Sequence, residues 1–253
     1  MSCLLLPLPK CCFRDEIPAL TSPFLPQLFF DDDDKVYLST TLRTPISTQP
    51  RSSITGLAVY ASQIDLHTGR NLTHPVLIRQ STTTTIAEGS HIIKKDGAYY
   101  LFTAEGGTGE LHQEWVSRSF DSPLGPYEPG PNNPIVFNDQ DESVRRTGHM
   151  DFVRDQEGAW WGVLLATRPQ EGEKAGGRMV WDSQLGRETL LVPVEWEEGG
   201  WPVVNGGKVV AVEGIALGRT MAKQVITNRW RDDFEKGESK QRLRSSLTNG
   251  SSD

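Results

Sequence analysis

"AEGSHIIKKDGAYYLFTAEGGTG", residues 87–109, decides the fold. An apolar run from His91, an Asp96-Gly97 pair suited to a two-residue turn, and an aromatic run from Tyr99 predict an antiparallel hairpin. Glu88 stands three residues ahead of the first strand. Either it is loop decoration, or the hairpin presents an acid to something held beside it.

The pattern of apolar strand, acidic or Gly-rich turn and aromatic strand recurs in "QLFFDDDDKVYLSTT", "DFVRDQEGAWWGVLLAT" and "VEWEEGGWPVV". The turns fall near residues 33, 96, 156 and 199, with further strand-like runs between them ("SITGLAVYASQI", "EWVSRSF"). The spacing is wider than the ~8–12 residues between turn signals of a sandwich. It suits small antiparallel sheets repeated radially, a β-propeller with one hairpin per blade and about four blades here. The innermost strand of every blade lines one axial channel, so equivalent residues converge. Leu25 and Glu88 read as equivalent, each three residues before a strand, and His149, entering the third hairpin, is expected at the same mouth.

Composition bounds the partners. With 253 residues and 36% hydrophobic content the chain can build a core. Its net charge of −7 and lack of a basic run argue against nucleic acid. No run reaches the ~18 apolar residues of a membrane span. Cys3, Cys11 and Cys12 lie at one end, so no disulfide framework staples the remainder. The opening "MSCLLLPLPKCCF" lacks a basic n-region and is broken by prolines, which leaves the compartment open, with the cytoplasm favoured over secretion. The sequon Asn71-Leu72-Thr73 matters only in a secreted chain.

From about residue 22 to 207 the chain resembles glycoside hydrolase family 43, in its β-xylosidase and α-L-arabinofuranosidase branch. The blocks that carry the resemblance are "FFDDDDKVYLSTT", "EGSHIIKKDGAYYLFTAEGGTG", "SPLGPYEPGPNNPI", "TGHMDFVRDQEGAWWGVLLATRP" and "GRETLLVPVEWEEGGWPVVNGG". The resemblance implies a five-bladed propeller, incomplete here with the first blade missing, that acts on xylo- or arabino-oligosaccharides. It divides the chain into a non-matching segment 1–19, a propeller domain 20–215, and a polar tail 216–253. In that tail "RWRDDFEKG" looks like the start of a C-terminal β-sandwich domain.

The same resemblance implies an inverting reaction. One carboxylic acid protonates the leaving oxygen and a carboxylate ~6.5–9.5 Å away activates water. Glu88, in "EGSHII", matches the general acid, with Ser90 where the family usually has proline. Leu25, in "LPQLFF", replaces the family's pKa-modulating aspartate, so Glu88 is expected to ionise too readily to donate its proton. The catalytic base is unknown. Asp15 is the one aspartate before residue 20, and nothing around it matches. Arg187, in "GRETLL", matches an arginine that reaches the sugar. His149, in "TGHMDF", matches a histidine that helps hold a central calcium, which would bind weakly here for want of oxygen ligands.

Other candidates have plainer readings. His91 is either a sugar contact or a structural hydrogen-bonding residue. Glu105 is expected to shape the Gly-rich loop, and Asp31 to Asp34 to form a solvated hairpin tip. Trp160, Trp161, Trp196 and Trp201 are expected to pack between blades. A chain that keeps the sugar contacts without a base is a sugar-binding relic, the alternative to an enzyme.

Overall fold

Among the described residues the alternation of β-branched and aromatic residues with turn signals produces strands in three antiparallel sheets, with one short 3-10 turn at Asn205–Gly207. The computed structural model describes residues 24–45, 55–168, 183 and 185–211, all within one compact unit, Met1–Ala216. Segments 1–19 and 216–253 lie outside the described residues. The first sheet runs β1 (Phe24–Phe30), β2 (Val36–Pro45), β3 (Thr55–Ile64), β4 (Val76–Gln80). The second runs β5 (Ala87–Lys95), β6 (Ala98–Glu105), β7 (Gln113–Ser119), β8 (Glu128–Pro129). The third runs β9 (Arg145–Arg154), β10 (Trp160–Thr167), β11 (Glu188–Glu195), β12 (Val203–Val204). Each is a four-stranded meander in chain order. Among the described residues no helix is long and apolar enough to cross a membrane.

One expectation is corrected here. The hairpin "VEWEEGGWPVV" builds no sheet of its own: β11 pairs with β10 as well as with β12, so it forms the outer half of the third sheet. A hairpin shows the same pattern whether it begins a sheet or ends one, and a strand's second partner leaves no local signature.

The second sheet is covered on both faces. All eight residues of β6 are buried. Because successive side chains point to opposite faces, Tyr99 and Leu101 join Val59, Ala61 and Ile78 of the first sheet. Tyr100 and Phe102 join Met150, Leu164 and Val192 of the third. Trp196 sits at this second junction, with its ring 4.8 Å from that of Tyr100 and 5.1 Å from that of Trp160. Trp201 stands 6.0 Å from Tyr100. Trp161 instead donates to Asp155 at 2.8 Å in its own hairpin.

One acidic residue leaves its expected place. Asp31 is not at a solvated tip: its carboxylate accepts from Lys94 Nζ at 2.5 Å and Tyr99 Oη at 2.7 Å, joining the first two sheets. Glu105, at the end of β6 just before the Gly-rich loop, is buried between them. Its Oε1 takes the Arg79 Nε–H at 2.7 Å, and Nη2 reaches the same oxygen at 2.6 Å without a well-aligned N–H. Arg79 also lies 4.8 Å over the Trp115 ring.

Candidate active site

The first strands of the three sheets share one irregularity. In β1 the register slips between Phe24↔Thr41 and Gln27↔Ser39. In β5 it slips between Glu88↔Ala104 and His91↔Phe102. In β9 it slips between Gly148↔Leu165 and Asp151↔Val163. Each time one extra residue is inserted, the signature of a β-bulge, which bends the strand and re-aims its side chains. The residue after the first aligned position has positive φ in all three: Leu25 at 51°, Gly89 at 57° and His149 at 52°.

This register corrects the expected equivalence of Leu25 and Glu88. Leu25 corresponds to Gly89 and His149, while Glu88 corresponds to Phe24 and Gly148. Glu88 also lies inside β5 and not ahead of it. The period-two pattern conceals the extra residue, so counting back from the strand shifts the alignment by one.

The bulged strands meet across sheet boundaries. A Cβ built on Gly89 would lie 2.6 Å from His149 Nε2, so the imidazole occupies space that only glycine leaves open. The His91 and His149 rings are 6.2 Å apart. Gln27 of β1 bonds His91 of β5, with Nε2 at 2.9 Å from Nδ1. Ser39 and Ser90 hydroxyls lie 2.8 Å apart beside the same boundary. Leu25, two residues before Gln27, is partly exposed on β1.

Glu88 is half-buried, and desolvation pushes its carboxyl above the usual glutamate range while the Arg187 guanidinium pulls it down. This direction runs opposite to the expectation drawn from Leu25: burial alone raises the Glu88 carboxyl, with no neighbouring carboxylate among its causes. Exposed Arg187, just ahead of β11, also acts electrostatically on His112 and His149. Burial lowers the pKa of His91, His112 and His149. The structure thus brings Glu88, His91, His149 and Arg187 together. Among the described residues no carboxylate acts on Glu88.

Sequence reading missed three supporting residues. Gln27 is one. The second is His112, buried, with Nδ1 2.8 Å from the Arg146 carbonyl. Glu114 of β7 is the third: fully buried, it accepts the Met150 N–H at 3.0 Å at the β9 bulge. Burial drives its carboxyl well above the ordinary glutamate value. A charged residue in the apolar pattern "HQEWV" was the available signal.

Calcium takes several oxygen ligands. His149 offers nitrogen, and among the described residues no three His, Cys, Asp or Glu side chains group as ligands of one ion. These side chains do not fit a tight calcium site.

Known proteins supply the context. Residues 12–202 match the profile of Glycosyl hydrolases family 43. A non-reducing end alpha-L-arabinofuranosidase of Bacteroides ovatus is 41% identical over 151 residues, covering 58% of this chain and 26% of that protein. A xylosidase/arabinosidase of Butyrivibrio fibrisolvens is 36% identical over 199 residues, covering 77% and 35%. The structure of a xylan beta-1,4-xylosidase from Bacillus halodurans superposes with a TM-score of 0.62 at 30% identity, over 75% of this chain and 34% of that one. The chain therefore spans about a third of the length of such relatives. With its profile match covering most of the sequence, and with these relatives, the chain belongs to glycosyl hydrolases family 43.

Proposed function

We propose that these sheets carry the proton-donating part of a glycoside hydrolase site of the β-xylosidase/α-L-arabinofuranosidase type. It acts by inversion on xylan-derived oligosaccharides, within a five-bladed propeller. Glu88 is the general acid, and Arg187 and His91 contact the pentose. The observation that carries this reading is Glu88 itself: half-buried, its carboxyl raised by desolvation, and faced by a single guanidinium. A carboxyl whose pKa is raised holds its proton to a higher pH than an ordinary glutamate and can protonate a leaving oxygen, a step that contributes typically ~10²–10⁴ in rate.

The protein's own groups divide the work. Glu88 holds the proton and releases it to the glycosidic oxygen. Arg187 donates to sugar hydroxyls and stabilises the carboxylate left behind. A second carboxylate must activate water from the opposite side of the ring. The second reading is a sugar-binding relic that binds pentoses without hydrolysing them. Calcium supplied to the chain binds weakly at His149, through water and backbone carbonyls.

Xylose titration followed by NMR tests the site. Shifts at Glu88 and Arg187, lost in Arg187→Ala, are expected. Shifts confined to other residues would overturn the assignment.

A further inference from the structure

The Gln27 amide bridges two groups of the neighbouring sheet at once. Its Oε1 accepts the Ile92 backbone N–H at 3.0 Å, and its Nε2 lies 2.9 Å from His91 Nδ1. A backbone N–H can only donate, so Oε1 must face Ile92 and the NH₂ must face His91. An NH₂ group can only donate, so Nδ1 must accept. The ring proton then sits on Nε2.

The structure assigns Gln27 as a positioning residue that locks His91 in the Nε2–H form, so that His91 meets a pentose hydroxyl as a hydrogen-bond donor. The ligand in this assignment rests on the pentose reading above; the tautomer does not. The competing group is Asp151 of β9, whose Oδ1 lies 3.6 Å from the same Nδ1, beyond hydrogen-bond reach. Were Asp151 the partner, Nδ1 would have to carry the proton. Distance favours Gln27. His149, also on β9, is the other titratable group facing the ring. Burial disfavours the imidazolium at His91, which agrees with a neutral ring.

The lock joins β1 to β5, so it gives position 27 a part in the site from another sheet. Without Gln27 the acceptor beside Nδ1 is Asp151, at 3.6 Å, and the tautomer is expected to switch. His91 would then offer Nε2 to the ligand as an acceptor.

Two-bond proton–nitrogen correlation spectra of the full chain with labelled histidine test this at about pH 8, above the ordinary histidine range. Wild type is expected to show Nδ1 bare and Nε2 protonated, unchanged in Asp151→Asn. Gln27→Met, similar in length, is expected to move the proton to Nδ1. A wild-type ring protonated on Nδ1 overturns the assignment before any variant is made. Added xylose is expected to shift His91 Nε2 in wild type and to bind about tenfold more weakly to Gln27→Met, the equivalent of one hydrogen bond. Shifts at Glu88 and Arg187 without one at His91 Nε2 overturn the donor role. No shift at any of the three overturns the pentose reading, and the donor role with it.

Discussion

At Glu88 the Arg187 guanidinium opposes the upward pull that burial exerts on the carboxyl. The two residues come from different sheets, so the balance depends on how β5 and the start of β11 are brought together. Arg187→Ala is expected to raise the Glu88 pKa further above its ordinary 4.5, and Arg187→Lys to leave it nearer wild type. Carbon-detected NMR titration of Glu88 reads the shift. An unchanged Glu88 pKa in Arg187→Ala would show that the guanidinium is too far away to act.

Glu114 gives stability a pH dependence of definite sign. Its folded pKa lies well above the ordinary 4.5 because of burial. Between these values the native state binds more protons than the unfolded chain, so stability falls as pH rises above 4.5. Glu114→Gln keeps an acceptor for the Met150 N–H and removes the titration, so its stability should vary less with pH over that window. Glu114→Ala loses the acceptor and should cost about 1–3 kcal/mol. Urea denaturation at a series of pH values measures both.

The Gly89–His149 contact predicts a steric effect. Gly89→Ala must adopt a φ near 57° and place its Cβ 2.6 Å from His149 Nε2. Positive φ at a non-glycine residue costs about 1–3 kcal/mol, and the imidazole must also move. A lower melting temperature with a displaced His149 ring signal is expected. An unchanged His149 signal would place that ring elsewhere.

The Arg79–Glu105 pair predicts strong coupling. Arg79→Met leaves the buried carboxylate alone and should cost about 3–5 kcal/mol. Arg79→Met combined with Glu105→Gln should recover most of it, because no uncompensated charge remains. A double variant as unstable as the sum of the singles, by urea denaturation, would argue against the pairing.

What could be read from the sequence is set by range. The Asp96-Gly97 turn and the runs around Tyr99 and Trp160 are local, and their hairpins form where the residues indicate. The bulges at Leu25, Gly89 and His149 are not legible, because an inserted residue alters register without altering composition. Asp31 reads as solvated and Glu105 as a loop residue in sequence because their cations, Lys94 and Arg79, lie 63 and 26 residues away. Gln27 and Glu114 escaped notice for the same reason: each acts on the backbone of another strand.

The measurement that bears most directly on Glu88 as proton donor is cleavage of aryl xylosides and arabinosides whose leaving group needs protonation. Wild type and Glu88→Gln are compared with and without azide. Azide is already an anion and needs no base to attack. In plain buffer the chain is expected to be no faster than Glu88→Gln where no base activates water. With azide, wild type is expected to form a glycosyl azide of inverted configuration roughly 10²-fold or more faster than Glu88→Gln, the range of general-acid catalysis. Equal azide rates in the two proteins would contradict the role assigned to Glu88.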